Sequence, residues 1–211
     1  MNFLRYDSPF MSKCRRIVDY MLLGWLWVIA SLPIITFGVS TTAMLRTAEK
    51  SIRQNEGAIF VPFWKYFRQE FKQATVLWII QIPILEFILV DIIVVRYLNV
   101  NVGVQVVIFV MCILVFCWLQ LWFGYQSKIK DNIRTVLLNT FRMTVSDVGR
   151  TFLMSLLTIA AVVVGYFSIF LFSPLVLLIP GIYITVYTAL LRKVFSRYMS
   201  PENDKLEVLA E

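Results

Sequence analysis

Long stretches without charged residues constrain this chain more than any other feature of its sequence. Three of them span 26, 31 and 41 residues, at 20–45, 97–127 and 151–191. A fourth stretch of 23 residues, 73–95, contains only two charged residues, Glu86 and Asp91. A helix that crosses a bilayer needs about 20 mostly apolar residues. Each of these stretches is therefore long enough to span a membrane.

The composition agrees with a membrane environment. Of the 211 residues, 59% are hydrophobic and 16% are charged, whereas a soluble domain averages about 45–50% apolar and about 25% charged residues. So few charges cannot cover a surface that faces water. We therefore predict an all-α fold, a polytopic membrane helical bundle.

The lengths of the apolar stretches predict about five transmembrane helices. The 41-residue stretch is long enough for two of them, and Ser173-Pro174 offers a turn because proline lacks an amide hydrogen and disfavours helix in the residue before it. The tail at 199–211 is predicted to be polar. The predicted spans are roughly 20–38, 74–97, 103–126, 152–172 and 174–191.

The basic residues predict how the chain is oriented. Lys and Arg accumulate on the cytoplasmic side of a membrane, and 15 of the 20 lie in 39–73, in 127–150 or after residue 191. Five full crossings place these segments and the C-terminus inside, and this is the version we favour. In the alternative, Pro33 and Gly38 break the first segment so that it is re-entrant, which leaves 19 of the 20 basic residues inside.

Missing residue types argue against most catalytic chemistry. The chain has no histidine, which zinc and haem sites commonly use and which a histidine-based triad requires. Its eight glycines are at least 14 residues apart, so neither a Walker loop nor a dinucleotide fingerprint is present. The cysteines Cys14, Cys112 and Cys117 form no CxxC pair. We expect no cofactor, no metal and no enzymatic activity.

Two connecting segments have the pattern of amphipathic helices, 60–72 and 128–148. We predict that both lie in the membrane surface, where aromatic rings settle at headgroup depth and cations meet anionic lipid. They serve either as elbows between spans or as a docking surface for a partner. Their candidate lipid-binding or partner-binding residues are Lys65, Arg68, Lys72, Lys130, Arg134 and Arg142.

Polar residues inside the predicted spans form a second candidate site, made of Gln81, Glu86, Asp91 and Gln120. An Asp at the centre of a span costs roughly 2.5–3.5 kcal/mol on the insertion scale, so we expect the acids to face protein or water. Glu86 and Asp91 point about 140° apart on a helix and form a poor acid–base pair. Glu86 is interpreted either as a ligand or proton site or as a structural contact, including one with a partner subunit.

Three segments carry a family resemblance: LPIITFG at 32–38, FWKYFRQEFKQA at 63–74 and IRTVLLNTF at 133–141. With these segments the chain resembles the YesL-like family, catalogued as domain of unknown function 624, over about residues 10–200. The resemblance implies a bacterial multi-pass membrane protein, often encoded beside the permeases of carbohydrate ABC importers and beside glycan-degrading enzymes. The family supplies no catalytic residues to transfer.

Two functions are consistent with these features. The first is an accessory subunit or regulator of a carbohydrate ABC importer in the bacterial cytoplasmic membrane. The second is an independent carrier or channel for a small solute or ion, which uses the intramembrane acids and needs a homo-oligomer because five spans are few. The expected partners are the lipid bilayer, importer subunits or a second copy, and not nucleic acid.

Overall fold

The computed structural model describes residues 9–52, 59–98, 101–170 and 179–197. All regular structure within these ranges is helical, which confirms the predicted all-α fold. A 3-10 turn at Ile34–Thr36 precedes the second helix, and a π-helical turn at Ala48–Ile52 follows it. The α-helices are α1 (Pro9–Ser31), α2 (Phe37–Thr47), α3 (Phe60–Tyr97), α4 (Val102–Gln126), α5 (Ile133–Ser146), α6 (Val148–Phe170) and α7 (Ile179–Phe195).

Within the part of the chain that the structure describes, three helices are long and apolar enough to cross a membrane: α3, α4 and α6. Only 6% of the most apolar part of α3 is buried inside the protein, and the share is 17% in α4 and in α6. Such bare apolar surfaces fit contact with lipid. The 17 residues of α7 cover the later part of the predicted span 174–191. The predicted turn at Ser173-Pro174 and the predicted polar tail lie outside the described residues.

The first predicted span, 20–38, is not one straight helix. Helix α1 ends at Ser31, and α2 runs back along it as the second arm of a hairpin. The Trp27 indole donates to the Thr41 hydroxyl over 3.0 Å, and the hydroxyls of Ser31 and Ser40 lie 2.6 Å apart. The chain therefore reverses direction between Ser31 and Phe37.

Local chemistry at 32–36 explains the reversal. Pro33 has no amide hydrogen to continue the ladder of α1, and the Thr36 hydroxyl donates to the carbonyl of Ala30 over 2.7 Å. The Trp78 indole of α3 donates to the carbonyl of Ile34 over 2.6 Å. The carbonyl groups of Ala30 and Ile34 thus gain hydrogen-bond donors in place of those that an uninterrupted helix would have supplied.

The predicted interfacial helix 60–72 and the predicted span 74–97 form one continuous helix, α3. No glycine or proline lies between Pro62, in the first turn, and Pro83, so nothing in the sequence breaks the helix between the two segments. Phe63 is fully buried, and Trp64 and Phe67 pack against the core. These three residues are therefore covered by protein, whereas Phe60 and Phe71 of the same segment are 61% and 41% exposed.

Close helix packing centres on a glycine of the hairpin. A Cβ atom on Gly38 would lie 2.8 Å from the Ala74 carbonyl oxygen, and equally close to the side chains of Trp78 and Phe123. Only a residue without a side chain lets α2 approach α3 and α4 this closely. The second predicted amphipathic helix, 128–148, is present in shorter form as α5, which is tied to α4 by a 3.0 Å hydrogen bond from the Trp118 indole to Thr140.

Candidate partner-binding end of the bundle

A buried ion pair joins the hairpin to α3. Arg46 lies in the last turn of α2, a helix with most of its residues buried, and Glu70 lies on the same face of α3 as the buried residues Ala74 and Leu77. The Arg46 Nη1 atom is 2.5 Å from the Glu70 Oε1 atom, and the two side chains are 7% and 3% exposed. A charge-assisted hydrogen bond of this length is strong in a site that excludes water.

Glu70 also holds the segment that leaves α4. The Gln126 side-chain amide donates to Glu70 Oε2 over 3.4 Å, and the Lys130 ammonium lies 3.9 Å from Oε1. On the other side of the pair, the Arg46 guanidinium lies 4.9 Å from the centre of the Tyr66 ring, a favourable cation–π distance. One carboxylate therefore connects α2, α3 and α4.

Glu49, in the π-helical turn, forms a second acidic centre. Its carboxylate lies 3.3 Å from Nε of Arg192 at the end of α7 and 4.0 Å from Nζ of Lys128. The Lys128 ammonium also lies 4.9 Å from the centre of the Phe195 ring. The hairpin, the end of α4 and the end of α7 thus meet at one place.

Asp147, between α5 and α6, forms a third acidic centre. The guanidinium of Arg150 lies 2.9 Å from its carboxylate and that of Arg197 lies 3.8 Å from it. Arg150 also donates to the backbone carbonyl of Lys193 over 2.8 Å. We call the end of the bundle that contains Glu49, Glu70 and Asp147 the polar end.

Two acids of the polar end are buried beside their cations, and the predicted surface cations are exposed. Glu70 and Asp147 are 2% and 8% exposed, and their charges are taken up by ion pairs within the protein. The six basic residues predicted as a lipid or partner surface are instead exposed: Lys65, Arg68, Lys72, Lys130, Arg134 and Arg142. The result is a charged end with exposed cations on its outer surface.

The structure separates the predicted intramembrane polar residues. Gln81 is 7% exposed and lies on the buried face of α3, where its carbonyl oxygen has no hydrogen-bond partner among the described residues. Glu86 is exposed on the outer face of the same helix, and Asp91 is half-buried. A single chain does not line one path with these three groups.

Gln120 contacts α6 and α7 and not the other members of the predicted intramembrane site. Its side-chain oxygen accepts a hydrogen bond from the Thr158 hydroxyl of α6 over 3.2 Å, and its backbone carbonyl accepts one from the Tyr187 hydroxyl of α7 over 2.9 Å. Gln120 therefore ties α4 to α6 and α7. No described hydrogen bond connects it with Gln81.

Sequence reasoning missed the acids of the polar end. Glu70 is the only acid among the basic residues of 60–72, and Arg46 is the first charge after a 26-residue apolar stretch. These two features make each residue unusual, but they do not show that two residues 24 positions apart form an ion pair. The pairing depends on how the hairpin folds back.

The comparison with protein families supports the resemblance predicted from sequence. The model of a family described as "Protein of unknown function, DUF624" matches residues 20–92. The match covers the hairpin and most of α3, including both members of the Arg46–Glu70 pair. No curated protein matches the chain, and no solved structure does.

Proposed function

We propose that this chain, whose residues 20–92 match the DUF624 family, is a non-enzymatic accessory subunit or regulator of a carbohydrate ABC importer in the bacterial cytoplasmic membrane. The family resemblance suggests the importer, because its members are often encoded beside one. The polar end supplies the physical support. The proposal assigns this end to the cytoplasm, following the distribution of Lys and Arg.

The observation that carries the proposal is the cationic stripe at the start of α3. Lys65, Arg68 and Lys72 are exposed at helical spacing, while the aromatic residues on the other face hold the helix against the core. Because α3 is fixed by the Arg46–Glu70 pair, the three cations are presented on a rigid element. A partner with an acidic surface gains association rate and specificity from such a stripe.

The test is co-purification with the importer subunits encoded nearest the gene. We expect the chain to co-purify with the permease pair and its ATPase in mild detergent. The triple variant Lys65→Glu, Arg68→Glu and Lys72→Glu should capture at least about ten-fold less importer, because like charges then meet at the interface. The matched control, Lys65→Arg, Arg68→Lys and Lys72→Arg, keeps the charge and should retain capture.

One result would remove the proposal, and another would remove this surface from it. One is failure of the unmodified chain to capture the importer, combined with unchanged sugar uptake in a deletion strain. The other is equal capture by the charge-reversed variant and its control, when both elute as folded protein in size-exclusion chromatography. The second result would leave an importer partner but exclude this surface.

A further inference from the structure

Helix α5 has an apolar face that no described part of the chain covers. Leu138, Phe141 and Val145 are 60%, 53% and 61% exposed, and at 3.6 residues per turn they fall within about 60° of each other around the helix. The residues that pack against the protein lie on another face: Val136, Thr140, Met143 and Thr144. We call Leu138, Phe141 and Val145 the apolar face of α5.

Polar residues border this apolar face on the side away from the protein. The exposed residues that follow it around the helix are Thr135, Arg142 and Ser146. Arg134, one turn before Leu138, is also exposed. The helix therefore has a protein-packed, an apolar and a polar face in succession. This order fits a helix that lies where the protein meets both the bilayer and water.

The connections of α5 place it beside the membrane. A single residue, Asp147, separates its end from Val148, where the apolar part of α6 begins. On its packed side, the Trp118 indole of α4 donates to the Thr140 hydroxyl over 3.0 Å, and the Trp118 ring lies 5.8 Å from that of Phe141. Trp118 lies within the apolar span of α4, about 12 Å along the helix from its end at Gln126. Helix α5 is thus held against one span and joined to the start of another.

The charge of α5 selects among lipids. The segment 132–146 contains two arginines and no Asp or Glu, so no residue of the helix repels an anionic headgroup. A long arginine side chain can extend from an apolar surface to the headgroup layer, and its guanidinium binds phosphate oxygens through two parallel hydrogen bonds. An apolar face bordered by such cations is complementary to an anionic phospholipid.

We propose that the apolar face of α5 is buried in the acyl chains of the adjoining leaflet, and that Arg134 and Arg142 bind the phosphate groups of anionic phospholipids there. The apolar face then continues the bare lipid-facing surface of α6, on which Phe152 and Leu156 are 44% and 54% exposed. This inference concerns a lipid contact and does not depend on the importer proposed above.

Fluorescent labels at single positions test the burial of the apolar face. In the full-length chain with Cys14, Cys112 and Cys117 replaced by Ala, nitrobenzoxadiazole is attached to Leu138→Cys or to Val145→Cys. Ser146→Cys is the matched control, because Ser146 is exposed and adjacent to Val145 but points about 100° away from it.

The vesicles contain phosphatidylethanolamine and phosphatidylglycerol. We expect labels at Leu138 and Val145 to emit at shorter wavelength and to lose most of their emission when lipids with a doxyl group on the acyl chain are added. The label at Ser146 should instead be quenched by iodide in the aqueous phase.

Substitution of the arginines tests the choice of lipid. The preference is measured as quenching of the Leu138 label by doxyl-labelled phosphatidylglycerol relative to doxyl-labelled phosphatidylcholine. Arg134→Gln with Arg142→Gln should lower this preference by about 5-fold for each arginine removed, the effect of one cation near an anionic surface. The matched control, Arg134→Lys with Arg142→Lys, keeps the charge and should retain most of the preference.

Three outcomes overturn the proposal, provided that each variant elutes as folded protein in size-exclusion chromatography. The first is equal quenching of the Leu138 and Ser146 labels by the acyl-chain doxyl group. The second is a preference for phosphatidylglycerol that is the same in the glutamine and lysine variants. The third is a photocross-linker at Leu138 that captures a protein and no lipid in native membranes, because the apolar face would then be a protein interface.

Discussion

The Arg46 guanidinium lies 2.5 Å from the Glu70 carboxylate, and both groups are almost completely shielded from water. The contact joins the returning arm of the N-terminal hairpin to α3 across 24 positions of sequence. It also fixes the segment after α4, because Glu70 is within 3.9 Å of Lys130. We therefore infer that the structure of the polar end depends on this ion pair.

Removing one partner of the pair should destabilise the protein strongly. Glu70→Leu leaves the buried Arg46 charge without its carboxylate, and breaking a buried ion pair typically costs about 3–5 kcal/mol. The double variant Arg46→Leu and Glu70→Leu should recover much of that loss, because no unpaired charge remains. Unfolding in increasing SDS, followed by tryptophan fluorescence, measures the free energy differences.

The exposed Lys65→Leu on the same helix is the control for this series. Surface substitutions usually change stability by no more than about 0.5 kcal/mol. If Glu70→Leu behaves like Lys65→Leu, the pair does not have the structural role assigned to it.

The glycine of the hairpin should not tolerate a side chain. In Gly38→Ala the added Cβ would lie 2.8 Å from the Ala74 carbonyl oxygen, so α2 must move away from α3, at a cost of about 1–3 kcal/mol. Gly149→Ala is the control, because a Cβ there meets nothing within 4 Å. In a helix that change is neutral or stabilises by up to about 1 kcal/mol. Equal stability of the two variants in the SDS titration would contradict the close packing.

The tip of the hairpin should loosen when its bond to α3 is removed. Trp78→Phe keeps a ring beside Phe37, whose centroid lies 4.7 Å from that of Trp78, but loses the donor to the Ile34 carbonyl. We expect a loss of about 0.5–1.5 kcal/mol and faster thiol labelling of a cysteine placed at Leu32. A labelling rate unchanged from the Trp78 parent would show that the bond does not hold the tip.

Much of the helical architecture could be predicted from the spacing of charges, because a span needs a minimum apolar length. Charge spacing could not show that α3 continues from Phe60 to Tyr97, since helical periodicity at 60–72 fits a lipid surface and a protein surface equally well. Only the burial of Phe63 in the core shows that this part of the helix packs against protein. The exposure of the predicted basic residues could be expected directly, because a long cationic side chain can reach solvent from most helix surfaces.

The internal acids of the polar end were beyond sequence reasoning for a different reason. Glu49, Glu70 and Asp147 acquire their roles from cations in distant parts of the chain, such as Arg192 in α7 and Arg197 just after it, and those pairs form only when the helix ends meet. Glu86 was recognised as unusual because an acid in an apolar span is costly wherever the helix packs.

Sided labelling of single cysteines tests the membrane topology most directly. We propose the re-entrant version, in which the N-terminal hairpin returns and both chain ends lie on the cytoplasmic side. The starting protein has Cys14, Cys112 and Cys117 replaced by Ala. In this protein, Arg15→Cys, Phe60→Cys and Val102→Cys place thiols at three exposed positions. With a membrane-impermeant maleimide on intact cells, we predict labelling of Val102→Cys alone, and labelling of the other two only after lysis. Labelling of Arg15→Cys on intact cells, with Phe60→Cys protected, would show that the first segment crosses the membrane and would contradict the claim.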